Sequence, residues 1–284
     1  MSDNKRGNVL PNFLIIGSQK AGTTSLYNVL SKHPEIYMPQ KKEVNFFFLE
    51  KEFLRGIGYY ERFFTGIPQG AKAFGEASPG YICHPQAPTR IKEYLPNIRL
   101  ILTVRNPIDR AYSQYWDNRM TLSETQTFEG TLEGALVDTY EPGKLGYFSR
   151  GTYVKYIRRY LELFNADQLL VLLFDDLRDD PVKFYQDCFQ FLGVDPGFRC
   201  PEMEAVFNPS FVWGNFLYRW FFNRPACGRY IPVRLKRLLF WGRKKRFQYP
   251  PVGQAAKERL VRFYESWNRE LASYLERDLS HWDE

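Results

Sequence analysis

Cysteine, histidine and long apolar runs are what this sequence has least of. Its 284 residues include four cysteines, Cys83, Cys188, Cys200 and Cys227, widely spaced and never as C-x-x-C, and three histidines, His33, His84 and His281. So sparse a set argues against a zinc site or a disulfide framework and fits a reducing cytosol. No apolar run approaches the roughly 20 residues that a membrane span needs. The opening residues, MSDNKRGNVLPN, are polar and lead directly into an apolar stretch, without the hydrophobic core of a leader. The expectation is a soluble, cytoplasmic protein. Acidic residues are absent from residues 205–257, which carry Arg219, Arg224, Arg229, Arg234, Lys236, Arg237, Arg243, Lys244, Lys245, Arg246 and Lys257. Removing those eleven from the net charge of +7 leaves the rest of the chain at −4, so the basic character belongs to one segment.

What the chain does have is large side chains: 44% of residues are hydrophobic and 17% aromatic, enough for one large core over residues 1–284. Residues 12–25, NFLIIGSQKAGTTS, organise the rest. Residues 13–16 read as a buried parallel strand, while Leu26, Val29 and Leu30 recur at helical spacing after a glycine turn. A strand, a glycine turn and a helix start make an anion site, because helix N-terminal N–H groups and the helix dipole favour negative charge. Gly17 and Gly22 carry the glycine spacing of the phosphate loop G-x-x-x-x-G-K-[ST], but Thr23 stands where that loop has lysine. The loop's lysine is Lys20, three residues earlier. It reads as a cradle for a 5'-phosphate without the triphosphate clamp, or as an ordinary strand-to-helix turn.

Further on, His33-Pro34 ends the first helix and residues 36–38 are extended. In residues 41–48, KKEVNFFF, Glu43 stands between lysines and aromatic rings. Desolvation would raise its proton affinity and the lysines would lower it, giving either a general base or a solvated ion pair at a helix start. Strands are expected at residues 72–77, 99–104 and 168–174, the last closed by Asp175-Asp176. Helices are expected at 56–64, 85–94, 127–138, 153–164, 181–192 and 254–276. The alternation predicts a largely parallel sheet with its ligand at the strands' C-terminal ends. There lies RNPIDRAYSQYW, residues 105–116, with Asn106 as cap and Pro107 at the first helical position. Arg105 and Ser113 suit a second phosphate, though Arg105 could equally pair with a carboxylate.

With these pieces placed, the chain resembles the sulfotransferases that use 3'-phosphoadenosine 5'-phosphosulfate (PAPS), in the branch of the heparan sulfate N- and 3-O-sulfotransferases. The motifs are GSQKAGTTS (17–25), KEVNFF (42–47), GEASPGY (75–81), RNPIDRAYSQY (105–115), and a PP followed by a helix ending in RDLSHW (277–282). The resemblance implies a P-loop-like, three-layer α/β fold, its mainly parallel sheet flanked by helices, plus a basic, aromatic helical segment or lid at 205–257. It implies that Lys20, Ala21, Gly22, Thr23, Thr24 and Ser25 hold the 5'-phosphosulfate and that Arg105 and Ser113 hold the 3'-phosphate. Glu43 becomes the base and Lys20 the group near the departing bridging oxygen. PAP is the product, and no metal is expected, because the transferred sulfate is monoanionic.

Three positions depart from the family. Asn45 stands where some glycan-modifying members have histidine and Ala77 where they have lysine, and the family's lysine-glycine-arginine loop has no literal copy. Arg243-Lys244-Lys245-Arg246 fills that stretch, which assigns Lys245 or Arg246 to the 3'-phosphate. The acceptor expected from the resemblance is a sugar, glycolipid or small molecule. Residues 211–246 are amphipathic enough for peripheral contact with an anionic membrane, and no nucleic acid is expected. The competing readings are a phosphate-loop nucleotide kinase and a non-catalytic nucleotide- or membrane-surface-binding module.

Overall fold

The computed structural model describes residues 9–133, 146–205, 211–213 and 244–284. They fall into two compact units, each discontinuous in sequence: Met1–Arg105 with Tyr153–Phe207, and Asn106–Thr152 with Asn208–Glu284. In chain order the described strands are β1 (Phe13–Gly17), β2 (Ile36–Tyr37), β3 (Ala73–Ala77), β4 (Arg99–Val104), β5 (Leu169–Leu173), β6 (Phe211–Trp213) and β7 (Lys244–Arg246). The α-helices are α1 (Thr23–Leu30), α2 (Glu50–Phe53), α3 (Ile57–Glu61), α4 (Ala87–Tyr94), α5 (Pro107–Met120), α6 (Phe128–Thr131), α7 (Tyr153–Leu161), α8 (Phe174–Asp179), α9 (Pro181–Leu192) and α10 (Gln254–Leu275).

The first unit is built on a five-stranded, all-parallel sheet in the order β2-β3-β1-β4-β5. Every residue of β1 and β3 is buried, as a sheet covered on both faces requires. On one face Leu26, Val29 and Leu30 of α1 join Phe184, Cys188, Phe189 and Leu192 of α9 over Phe13, Ile15 and Ile101. Because β1 lies between β3 and β4, the loops after these three strands open at the same end of the sheet, beside the point where strand order reverses. Strand approach is tightest at Gly75, paired with Phe13: a Cβ there would sit 2.3 Å from the Phe13 carbonyl oxygen and 2.7 Å from its ring. Gly75→Ala is therefore expected to cost about 1–3 kcal/mol, read as a lowered urea midpoint.

The second unit packs α5 and α10 around aromatic side chains, among them Tyr112, Tyr115, Phe128, Tyr147, Phe148 and Tyr264. The Asn106 side chain caps α5, accepting from the Ile108 N–H at 2.9 Å, and Pro107 follows at the first position. The Tyr112 hydroxyl donates to the Pro250 carbonyl at 2.9 Å, tying the Pro250-Pro251 pair to α5. Fully buried Arg110 donates to Gln114 Oε1 at 2.7 Å and to the Tyr147 carbonyl. This unit thus buries a charged group, hydrogen-bonded through two of its nitrogens, as well as rings.

Three expectations change. The helix expected over 127–138 is the single turn α6, since Gly130 and β-branched Thr131 propagate a helix poorly; residues beyond 133 lie outside those described until 146. Asp175 and Asp176 do not close a strand: they occupy the first turn of α8, where carboxylates favour the helix dipole. The basic segment is expected to be helical, but its residues 211–213 and 244–246 form β6 and β7, which pair antiparallel with Phe211 opposite Arg246, and Phe-Val-Trp is strand-forming sequence. The remainder of 205–257 up to residue 243, and with it most of the expected membrane-contacting stretch 211–246, lies outside the described residues.

Candidate active site

The loop from Ser18 to Gly22 leaves β1 and enters α1. The Ser18 N–H donates to the Thr103 carbonyl at 2.8 Å, and the Thr103 hydroxyl donates to the Gly17 carbonyl at 3.1 Å, so β4 clamps the loop's first residues. Lys20 and Gly22 are both left-handed, at φ 68° and 88°. Gly22 is required twice over. Its φ favours glycine, and a Cβ there would meet Leu177 Cδ2 at 2.9 Å and Phe174 Cδ2 at 3.1 Å, both from α8 beneath the loop. α1 then starts at Thr23 with no side-chain cap and no acidic residue in its first turn. Its N–H groups and dipole are thus left to an anion from outside the helix. Beside them, the buried Ser18 hydroxyl has no hydrogen-bond partner among the described residues, which fits a polar ligand at this loop.

Cations gather here. The Lys42 ammonium donates to Thr24 Oγ1. Burial lowers the Lys42 pKa, opposed by the neighbouring Glu43 charge and reinforced by the like charge of Lys20. Arg105 donates to the Lys20 carbonyl at 3.3 Å and lies over the Phe174 ring at 4.8 Å, while its own carbonyl accepts from Tyr153 at 2.8 Å. Lys20, Lys42, Thr24 and Arg105 therefore form one connected set with the half-buried Glu43. Glu43 is not at a helix start. It sits at φ 59° in an irregular loop, its N–H held by the Ala77 carbonyl at 3.1 Å. Ser113, buried on α5, belongs to the second unit, as do Lys245 and Arg246 on β7.

Behind Glu43 lies a buried carboxylate. Glu76, on β3, accepts from Ser78 Oγ at 2.7 Å, Tyr81 Oη at 2.7 Å and Tyr60 Oη at 3.3 Å. Burial pushes its pKa up to about 7, the three hydroxyls pull it down, and the Glu43 charge adds to the rise. The folded state therefore binds this proton more tightly than the unfolded chain. The stability it contributes is complete below about 4.5 and is lost as pH rises through about 7. Urea midpoints measured across that window are expected to fall relative to those of Glu76→Gln, which has no proton to lose; parallel curves would contradict this.

The sequence singles out Lys20, Gly22 and Glu43 as site residues; Lys42 enters it only as a charged neighbour of Glu43, and Glu76 has no part in it. The signal for Glu76 was there: a lone carboxylate inside AFGEA, an otherwise apolar strand, needs partners. Lys42 carried no such signal, because Thr24, its partner, is 18 residues away.

A sulfotransferase domain model matches residues 10–204. The chain is 30% identical over 278 residues to mouse bifunctional heparan sulfate N-deacetylase/N-sulfotransferase 4, covering 94% of this chain and 30% of that protein. It is 29% identical over 277 residues to human bifunctional heparan sulfate N-deacetylase/N-sulfotransferase 3, with the same coverage. The chain thus spans about a third of the length of these relatives. A membrane-associated sulfotransferase of Dictyostelium discoideum is 41% identical over 108 residues, 37% of this chain and 22% of that protein. Among solved structures, a sulfotransferase from Alicyclobacillus acidocaldarius superposes with a TM-score of 0.72 at 28% identity, covering 97% of this chain and all of that one. A parallel sheet of this order, with Lys42 bound to Thr24 at the start of α1, stands in a chain matched by domain and by fold, and the chain belongs to the sulfotransferase domain family.

Proposed function

We propose that the protein transfers a sulfuryl group from PAPS to a hydroxyl or amine of a carbohydrate, glycolipid or small natural product, releasing PAP. The observation that carries this reading is the uncapped start of α1 with Lys20 and Lys42 beside it and Glu43 next to Lys42. Residues 20–25 would hold the 5'-phosphosulfate, their N–H groups and the two ammonium groups meeting its charge. The assignment of Arg105 and Ser113 to the 3'-phosphate rests on the RNPIDRAYSQY motif, and that of Lys245 or Arg246 on the basic run alone.

Glu43 takes the proton of the acceptor hydroxyl or amine as that oxygen or nitrogen bonds to sulfur. The sulfur–oxygen bond to the 5'-phosphate breaks, and its electron pair leaves with the phosphate, whose added charge Lys20 offsets. The names of the mouse and human relatives point to an amine of heparan sulfate as their acceptor, which makes an amino sugar the first acceptor to try. The test is incubation with 35S-labelled PAPS and N-desulfated heparin, octyl glucoside or p-nitrophenol. Label on one acceptor with matching PAP release is expected. No transfer to any of them, together with no PAP binding by calorimetry, would sink the reading.

A further inference from the structure

We propose that Glu76 is a positioning residue for the transfer: through the Ser78 and Tyr81 hydroxyls it holds the backbone of residues 43–47 in the conformation that sets Glu43 beside Lys42. This rests on Glu43 being the base. The geometry is specific. Ser78 Oγ donates to Glu76 Oε2 at 2.7 Å and accepts the Asn45 N–H at 2.9 Å. Tyr81 Oη donates to Glu76 Oε1 at 2.7 Å and accepts the Phe47 N–H at 3.4 Å. Two hydroxyls thus stand between one carboxylate and two N–H groups of the same loop.

The direction of these bonds gives the carboxylate its function. Once pH rises above about 7 the buried carboxyl is ionised and only accepts, so it turns both hydroxyl protons toward itself and both lone pairs toward the loop. The loop needs that hold. Glu43 and Asn45 both sit at positive φ, 59° and 57°, a conformation that costs free energy in any residue with a Cβ and persists where surrounding bonds impose it. Other bonds hold the loop too, from Glu43 N–H to the Ala77 carbonyl at 3.1 Å, from Asn45 Nδ2 to the Glu43 carbonyl at 3.1 Å, and from the Phe48 and Leu49 N–H groups to the Asn45 carbonyl at 3.2 and 2.9 Å, but the Asn45 N–H goes to Ser78. Tyr60, on α3, donates the third hydroxyl proton at 3.3 Å, and the charged group that bears on Glu76 is Glu43 itself. Glutamine at position 76 would offer one acceptor fewer. A buried hydroxyl would lose its partner, and with it the fixed orientation toward the loop.

Glu76→Gln is expected to lower kcat roughly tenfold through misplacement of the base, with KM for PAPS unchanged, measured as PAP release with N-desulfated heparin. Acting through Glu43, it is expected to lower kcat no further in a Glu43→Gln background. Full additivity in that double variant, or a folded Glu76→Gln protein with wild-type kcat, overturns the proposal. If Glu43→Gln alone keeps wild-type turnover, the reading of Glu43 as base has failed instead, whatever Glu76 does. Should Glu76→Gln not fold, Ser78→Ala removes only the arm to Asn45 and is expected to lower kcat in the same sense. A crystal structure of Ser78→Ala with Glu43 and Asn45 still left-handed, alongside unchanged kcat, would equally refute it.

Discussion

Replacing Lys20 with alanine is expected to lower turnover by about 10²- to 10³-fold, the loss typical when a group facing the developing charge of a transition state is removed. The size follows from place. Lys20 stands in the loop between β1 and α1, its carbonyl held by Arg105 and its charge within reach of Lys42. In the proposed transfer negative charge grows on the donor's 5'-phosphate as the sulfuryl group departs, and an ammonium beside it would stabilise the transition state more than the bound donor. Lys42 remains in the variant but is engaged with Thr24, so it is expected to preserve PAP affinity better than rate. Arginine at position 20 is not an equivalent replacement, because its planar fork disperses the charge that a lysine presents at one point. Single-turnover rates with labelled PAPS, beside a PAP titration, separate the two effects. Turnover close to wild type would remove Lys20 from the reaction, and the side chain is only half-buried, so a loss of stability is not the expected explanation of a large effect.

The second large effect is that of Glu43→Gln. Removing a positioned general base costs about 10²- to 10⁴-fold, and glutamine keeps the shape while losing the ability to take a proton. PAP binding is expected to persist, since no backbone contact of the loop changes: the Glu43 N–H still reaches the Ala77 carbonyl. A kcat that falls with unchanged PAP affinity marks a group acting in the transition state. Equal loss of both would make Glu43 a binding residue. Wild-type turnover would return the residue to an ion pair with Lys42.

Much of the first unit can be read locally. The runs at residues 13–16 and 99–104 are apolar and β-branched, and they become β1 and β4. Gly193 ends α9 in the left-handed conformation, and in the second unit Asn106-Pro107 starts α5, each through its own backbone preference. Local reading failed where neighbours outweigh propensity. Asp175 and Asp176 resemble the polar end of a strand, yet they begin α8, whose Phe174 and Leu177 close under Gly22. Glu43 resembled a residue of a helix start and proved to be in a left-handed loop tied to β3.

The sequence by itself determined the glycine turn between β1 and α1, because the glycine spacing, the displaced lysine and the helix start all lie within residues 17–25, where each residue constrains the next. It also determined the order of the parallel strands' segments and the cap of α5, which are equally short-range. Only the tertiary structure decided that Lys42 reaches Thr24, that Arg105 reaches the Lys20 carbonyl, and that Glu76 holds the Glu43 loop through two hydroxyls. These contacts join residues distant in the chain, and they exist because adjacent parallel strands bring their following loops to one end of the sheet.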